Sequence, residues 1–276
     1  MGRRVRTTAN SRSTRLRGWR RMANAIWRAP SDPQIYGILE VQARPLLDFI
    51  QLCRGRGQHI TPTHLVGRAL GHALAQVPAL NVRLVGGRAI PRSSVDVFFI
   101  TALGEGSELS GVKVQAIDRK SAAAVALELD HESQQLRAGK GAGLERAKAL
   151  MDRLPEPALR VGLRLVAWAA GERAWDLPLL GVTATPFGSA MVSSVGMFGL
   201  PVGFAPLVWL YRVPIIVVAG EIRDQPVAID GRVEVRPVLP ITASVDHRYV
   251  DGPQLGQALT AFRAYLEAPL AFESAP

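Results

Sequence analysis

The residue types best suited to proton chemistry lie together near the C-terminal end, in Asp246-His247-Arg248-Tyr249-Val250-Asp251-Gly252. An imidazole takes up and releases a proton close to neutral pH, and a carboxylate four residues on is near enough in sequence to steady it. The other four histidines, His59, His64, His72 and His131, show no metal-site spacing. His64, His72 and His131 fall in predicted helices, where packing or surface roles are expected. The single cysteine, Cys53, excludes an intramolecular disulfide and any multi-cysteine zinc site. It follows an apolar helical run, so a structural role is expected. Gly86-Gly87 and Gly139 to Gly143 lack the strand, spacing and lysine of a phosphate loop. Ser193, within Val192-Ser193-Ser194-Val195-Gly196, is not on a strained nucleophile elbow, because no helical pattern follows it. His247 and Ser193 remain as the candidates.

Their positions follow from the elements around them. Leu239 to Val245 alternates like a strand, and Leu255, Leu259, Phe262 and Leu266 recur at helical spacing. His247 therefore sits where a strand gives way to a helix. Further strands are predicted over Ile35–Val41, Val95–Thr101, Val112–Ile117, Leu179–Thr185, Ala190–Ser194 and Pro214–Ala219. Gly86-Gly87 and Asp230-Gly231 mark two hairpins. Helices are predicted over Arg44–Leu52, from Thr61-Pro62 to Pro78, and from Ser121 to Arg137. Residues 144 to 173 read as two helical pieces broken at Pro155 and Pro157. The second carries Leu159, Leu163, Val166 and Trp168, with Arg160 and Arg164 one turn apart. Packing on the protein itself or on a partner subunit is expected, and a membrane-surface helix is the alternative. Strands and helices mix without regular alternation, which predicts an α+β domain with a mixed sheet.

Of 276 residues, 48% are hydrophobic and 20% charged, a globular balance needing no metal or disulfide staple. The net charge of +10 is uneven: residues 1 to 28 hold nine arginines and no acid, which leaves +1 for the rest. The basic character thus belongs to an N-terminal arm, expected to be flexible over residues 1–18. Such an arm can meet nucleic acid, an anionic membrane or an acidic partner, and it also resembles an organelle transit peptide. A cytoplasmic location is expected, or the mitochondrial matrix if the arm is a transit peptide.

Ile241 to Gly252 resembles the Asp-His-Arg-x-x-Asp-Gly signature of the catalytic domain of dihydrolipoamide acyltransferases, the core component of 2-oxo-acid dehydrogenase complexes, related in fold to chloramphenicol acetyltransferase. Further blocks match in family order. Met191 to Gly199 resembles Thr-x-Ser-Asn-Leu-Gly-x-x-Gly, Phe204-Ala205-Pro206-Leu207 resembles Phe-x-Pro-Ile, and Pro78-Ala79-Leu80-Asn81 resembles Pro-x-Leu-Asn. Gly111 to Ser121 and Pro269 also fit, so the resemblance covers most of residues 20 to 272. It implies a chloramphenicol acetyltransferase-like mixed sheet flanked by helices, assembled as a trimer or a multiple of trimers. It implies acyl transfer between coenzyme A and a thiol such as dihydrolipoamide. A thiol of pKa ~8.5 and an imidazole of ~6.5 are matched for proton transfer near pH 7. By resemblance, His247 is the general base and Ser193 donates to the oxyanion from a neighbouring subunit. Asp251 is expected to cap the following helix and support the His247 loop, with direct proton chemistry as the alternative. Arg248 is expected to pair with a nearby carboxylate as scaffolding.

The chain departs from the family in three places. Only the arginine-rich arm precedes the catalytic domain, 19–276, so the expectation is either a lipoyl group in trans, on another protein, with dehydrogenase components as further partners, or an acceptor that is not a lipoyl group. Residues 140–187 read as a divergent helical insertion. Glu40-Val41-Gln42 stands where the family usually has an aspartate. A non-catalytic trimeric scaffold is the alternative function. No metal is expected.

Overall fold

In the computed structural model the described residues are 33–103, 108–138, 155–173, 175–176, 185–207 and 212–273. The arm, residues 1–18, lies outside them. So do residues 179–184 of the predicted strand that ends at Thr185, the first predicted helical piece, residues 144–154, and much of the 140–187 insertion. The described residues from Gln34 onward belong to one compact unit.

Its strands are β1 (Gln34–Gln42), β2 (Val82–Val85), β3 (Arg88–Pro91), β4 (Val97–Leu103), β5 (Glu108–Val114), β6 (Ala190–Ser194), β7 (Ile215–Ala219), β8 (Arg223–Ile229) and β9 (Arg232–Asp246). The helices are α1 (Arg44–Gly55), α2 (Pro62–Gln76), α3 (Ala122–Arg137), α4 (Glu156–Val166) and α5 (Gly252–Glu267). The main sheet runs β1-β9-β7-β6-β4-β5, with β8 paired to the first half of β9; β2 and β3 form a separate hairpin. β6 is parallel to β4 and to β7, and the other pairs are antiparallel. The mixed α+β sheet is therefore as expected.

Period-two alternation sorts the side chains onto two faces. Leu39 and Val41 of β1, Val97 and Phe99 of β4, Val192 of β6, Val217 of β7, and Leu239, Ile241 and Val245 of β9 point to one face, into the core that also holds Leu46, Leu65, Leu74 and Tyr265 from the helices. Met191, Ile216 and Phe98 point the other way, where Ala205 and Leu207 of the segment after β6 cover them. Two hydroxyls hold that segment in place: Thr242 Oγ1 donates to the Gly203 carbonyl, and Ser244 Oγ to the Ala205 carbonyl at 2.7 Å.

The structure differs from the sequence expectations at two strands. The strand predicted over Val112–Ile117 stops at Val114, because Ala116 takes a left-handed conformation (φ 46°) that turns Ile117 into a short 3-10 turn. The second hairpin strand and the strand leading to His247 are one 15-residue strand, β9, despite Pro237 and Pro240. Those prolines lack an N–H, but their carbonyls still accept, from Ala43 N at 2.8 Å and Gly220 N at 2.9 Å.

The C-terminal tail packs on its own domain. The Glu273 carboxylate is buried and accepts from Ala122 N at 2.7 Å and from the Tyr265 hydroxyl, with Arg68 Nε at 3.4 Å. Burial first, and then the bond to Glu273, push the Tyr265 phenol far up from its usual value. Phe272 packs against the Tyr265 ring, tilted, at 5.3 Å and meets the His72 ring edge-on at 4.9 Å between centroids. His72 thus has a packing role. Cys53 is fully buried, and burial pushes its thiol up.

Candidate active site

Ser193 lies near the end of β6. It shares a face with Met191, away from the helices, and pairs with Val218 of β7, which pairs in turn with Thr242 of β9. Its side chain is half-buried and has no hydrogen-bond partner among the described residues. Beyond Ser194 the chain turns sharply. Val195 N donates to the Ala219 carbonyl at 2.9 Å, a 3-10 turn spans Gly196–Phe198, and Leu200 N returns to the Val195 carbonyl at 3.3 Å. The turn lies so close to the end of β7 that a Cβ on Gly196 would come within 2.5 Å of the Gly220 carbonyl oxygen, and one on Gly220 within 1.9 Å of that of Pro201. Glycine at both positions is what lets the loop fold over the strand end and leave the Ser193 hydroxyl open. The loop exposes Met197, Phe198, Leu200, Val202 and Phe204, and Phe204 meets exposed Tyr36 edge-on at 5.6 Å.

His247 follows the last residue of β9, at the other end of the sheet. Asp246 N donates to the Pro214 carbonyl at 2.9 Å, before β7 begins, whereas Ser193 stands level with Val218 near the end of β7. Two strand spacings across and four residues along put about 17 Å between the backbones of Ser193 and Asp246. Within one chain the two candidates do not meet.

The His247 loop is held from several sides. Asp246 is buried, and Arg248 closes on it with Nε to Oδ1 at 2.9 Å and Nη2 to Oδ2 at 2.5 Å, while Arg248 N donates to Oδ1 at 3.0 Å. The Asp246 bond raises the already high guanidinium pKa, against a smaller opposing effect of burial. This is the scaffolding expected of Arg248, with its partner two residues back. Tyr249 O–H donates to the Arg212 carbonyl at 3.3 Å and stands 3.5 Å from Leu84 N of β2. Burial is the main cause of its raised pKa. Arg92 Nη2 reaches the same Arg212 carbonyl at 3.4 Å and Arg92 Nε the Val82 carbonyl at 3.3 Å, and burial lowers its pKa to about 10. Tyr249 and Arg92 were not singled out from the sequence; only their shared carbonyl reveals that they brace the loop.

Asp251 occupies the N-cap position of α5 but makes no side-chain cap bond. This corrects the capping role expected for it. Its Oδ1 turns back to His247 Nδ1 at 3.5 Å, with both side chains well exposed. That separation suits an ion pair with a protonated imidazole and is long for a hydrogen bond. With Nδ1 directed to the carboxylate, Nε2 is the nitrogen left for an external proton.

The arrangement defines a class: a mixed sheet with helices on one face, and a half-exposed histidine and serine at opposite sheet ends. The fold is that of dihydrolipoamide acyltransferase catalytic cores. A probable dihydrolipoamide acetyltransferase from Listeria monocytogenes superposes with a TM-score of 0.64 at 20% identity, over 97% of each chain. The cubic core of a pyruvate dehydrogenase multienzyme complex also gives 0.64 at 20% identity, over 88% of this chain and 84% of that one. The Azotobacter vinelandii dihydrolipoamide acetyltransferase gives 0.62 at 18% identity, over 88% and 84%. Residues 185–273, which hold both candidates, match the family model of the 2-oxoacid dehydrogenases acyltransferase (catalytic domain). The chain is thus similar to the catalytic domain of the dihydrolipoamide acyltransferase component of 2-oxo-acid dehydrogenase complexes. Among curated relatives, the human mitochondrial dihydrolipoyllysine-residue succinyltransferase component of the 2-oxoglutarate dehydrogenase complex is 37% identical over 82 residues, 30% of this chain. The matched stretch spans 18% of that relative's length.

Proposed function

We propose that this protein is a coenzyme A-dependent acyltransferase that moves an acyl group between coenzyme A and a thiol, such as dihydrolipoamide carried on another protein. His247 Nε2 removes the thiol proton. The thiolate attacks the thioester carbonyl carbon, and the Ser193 hydroxyl donates to the oxyanion that forms. Collapse of the tetrahedral intermediate expels the other thiolate, which takes the proton back from His247. Asp251, 3.5 Å from Nδ1, orients the imidazole. Work on the Azotobacter acetyltransferase concerned the role of a serine, a histidine and an asparagine in its catalytic mechanism, the asparagine four positions after the histidine. Asp251 has that spacing here, as an acid instead of an amide.

The observation that carries this reading is the separation of Ser193 from His247. Each is open at its own end of the sheet, and the serine end is ringed by exposed apolar side chains. A second copy that covers the ring brings the two half-sites together, which a trimer or a multiple of trimers achieves. The test is transfer from acetyl-CoA to free dihydrolipoamide. Transfer should fall by roughly a hundredfold or more in Ser193→Ala, as for removal of one oxyanion donor, and at least as far in His247→Ala. Undiminished transfer in His247→Ala would remove it from the chemistry. No transfer by the unaltered trimer would favour a scaffold.

A further inference from the structure

The His247 ring is held lightly: its contact with Asp251 is 3.5 Å long and joins two exposed side chains. Where the ring stands is therefore set by the turn that carries it. Both flanks of that turn are pinned to one short segment, residues 212–214. Asp246 N donates to the Pro214 carbonyl at 2.9 Å, and the Tyr249 hydroxyl donates to the Arg212 carbonyl at 3.3 Å. Within the turn, Tyr249 N donates to the Asp246 carbonyl at 3.0 Å. His247 lies between the two pins.

The second pin is the more unusual. Arg212 holds a left-handed conformation, φ 54°, which a residue with a Cβ disfavours. Such strain persists where the surroundings over-determine it, and it concentrates at working sites. Here two donors meet on its carbonyl, the Tyr249 hydroxyl and Arg92 Nη2 at 3.4 Å. Arg92 also sends Nε to the Val82 carbonyl at 3.3 Å, so its planar fork ties the Arg212 carbonyl to β2. The Tyr249 oxygen in turn accepts from Leu84 N of β2 at 3.5 Å. β2 is anchored from its other side, where Arg83 Nη2 donates to the Ala170 carbonyl at 2.8 Å. Burial raises the Tyr249 pKa, which keeps the phenol protonated, and so a donor, well above neutral pH. Tyr249 fills an open position of the Asp-His-Arg-x-x-Asp-Gly signature, so that pattern gives it no role.

We propose that Tyr249 is a positioning residue for acyl transfer: its hydroxyl, with Arg92 on the same Arg212 carbonyl, holds the His247 imidazole where it meets the thiol. The inference rests on the acyl-transfer reading and adds the residue that sets the base in place. Tyr249→Phe keeps the ring and removes the hydroxyl. It should lower kcat for transfer from acetyl-CoA to dihydrolipoamide roughly tenfold and leave both KM values unchanged, since a misplaced base costs rate and not ground-state binding. Arg92→Lys keeps the charge and loses the fork, and should act in the same direction with the same oligomer mass. A positioning role works only through the imidazole. In a His247→Ala background, Tyr249→Phe should therefore leave the residual rate unchanged. A second readout needs no turnover. In protein isotope-labelled at histidine Cε1, Tyr249→Phe should shift or broaden the His247 resonance, identified by its loss in His247→Ala. The other four histidines should stay in place. An unmoved kcat together with an unmoved His247 resonance overturns the proposal. So does a loss repeated in full in the His247→Ala background, or one confined to KM. If the unaltered protein transfers no acyl group, the acyl-transfer reading fails, and the resonance alone decides whether Tyr249 places the ring.

Discussion

The sharpest consequence of the site geometry is that two dead variants should revive one another. His247→Ala keeps a working serine end and Ser193→Ala a working histidine end. About 17 Å separates these positions within a chain, against a required reach of one hydrogen bond, so no rotamer change joins them. If each site takes its histidine from one copy and its serine from the next, a mixed ring contains interfaces with both groups intact. For equal mixing at random, an interface is competent when the histidine donor is the serine variant and its neighbour the histidine variant, so about a quarter of wild-type activity should return. The assay is dihydrolipoamide acetylation after the two variants are unfolded together and refolded, with native mass spectrometry of differently tagged chains to confirm mixed rings. Recovery should scale with the product of the two mole fractions and peak at equal amounts. Mixed rings without activity would refute the shared site and leave the separation of Ser193 from His247 without a catalytic meaning.

Two further perturbations test the frame. Glu273→Ala removes a buried carboxylate that Ala122 N, the Tyr265 hydroxyl and Arg68 share, and strands the guanidinium. It should cost about 3–5 kcal/mol by urea unfolding, as for breaking a buried pair; a loss below about 1 kcal/mol would show that the tail is not a structural latch. His64 Nδ1 accepts from Thr61 N at 3.2 Å at the start of α2, and burial lowers the ring's pKa from 6.5 to about 4. The unfolded chain then binds the extra proton first, so this contribution is full above pH 6.5 and is lost as pH falls towards 4. The loss amounts to about 3 kcal/mol. His64→Gln keeps an acceptor at that position and should flatten this part of the stability–pH profile; an unchanged slope would place the titration elsewhere.

Much of the architecture was readable from local pattern. Alternation located the second half of β9, short apolar and β-branched runs located β1, β6 and β7, Asp230-Gly231 located the hairpin into β9, and Ser121 opened α3 with its Oγ accepting from Ala124 N at 3.2 Å. These are short-range effects, set by residues a few positions apart. Asp-His-Arg at the end of an alternating run located the histidine for the same reason. The bend at Ala116, and the passage of β9 through two prolines, were not readable. Both depend on partners far along the chain, Asp96 Oδ1 for Ala116 N and the acceptor-seeking N–H groups of Ala43 and Gly220 for the proline carbonyls.

By itself the sequence determined which residues could do chemistry and the kind of element that carries each. Only the tertiary structure decided where they face. β6 and β7 run one way and β9 the other, so Ser193 and His247, both near strand ends, emerge at opposite edges of one sheet. Strand direction leaves no trace in period-two alternation, because a strand buries the same face whichever way it runs. The same holds for Asp251: its N-cap position was legible, but the choice of its carboxylate between backbone N–H groups and the His247 ring rests on the path of the loop, which Arg92, Tyr249 and the Asp246–Arg248 pair hold from outside the helix.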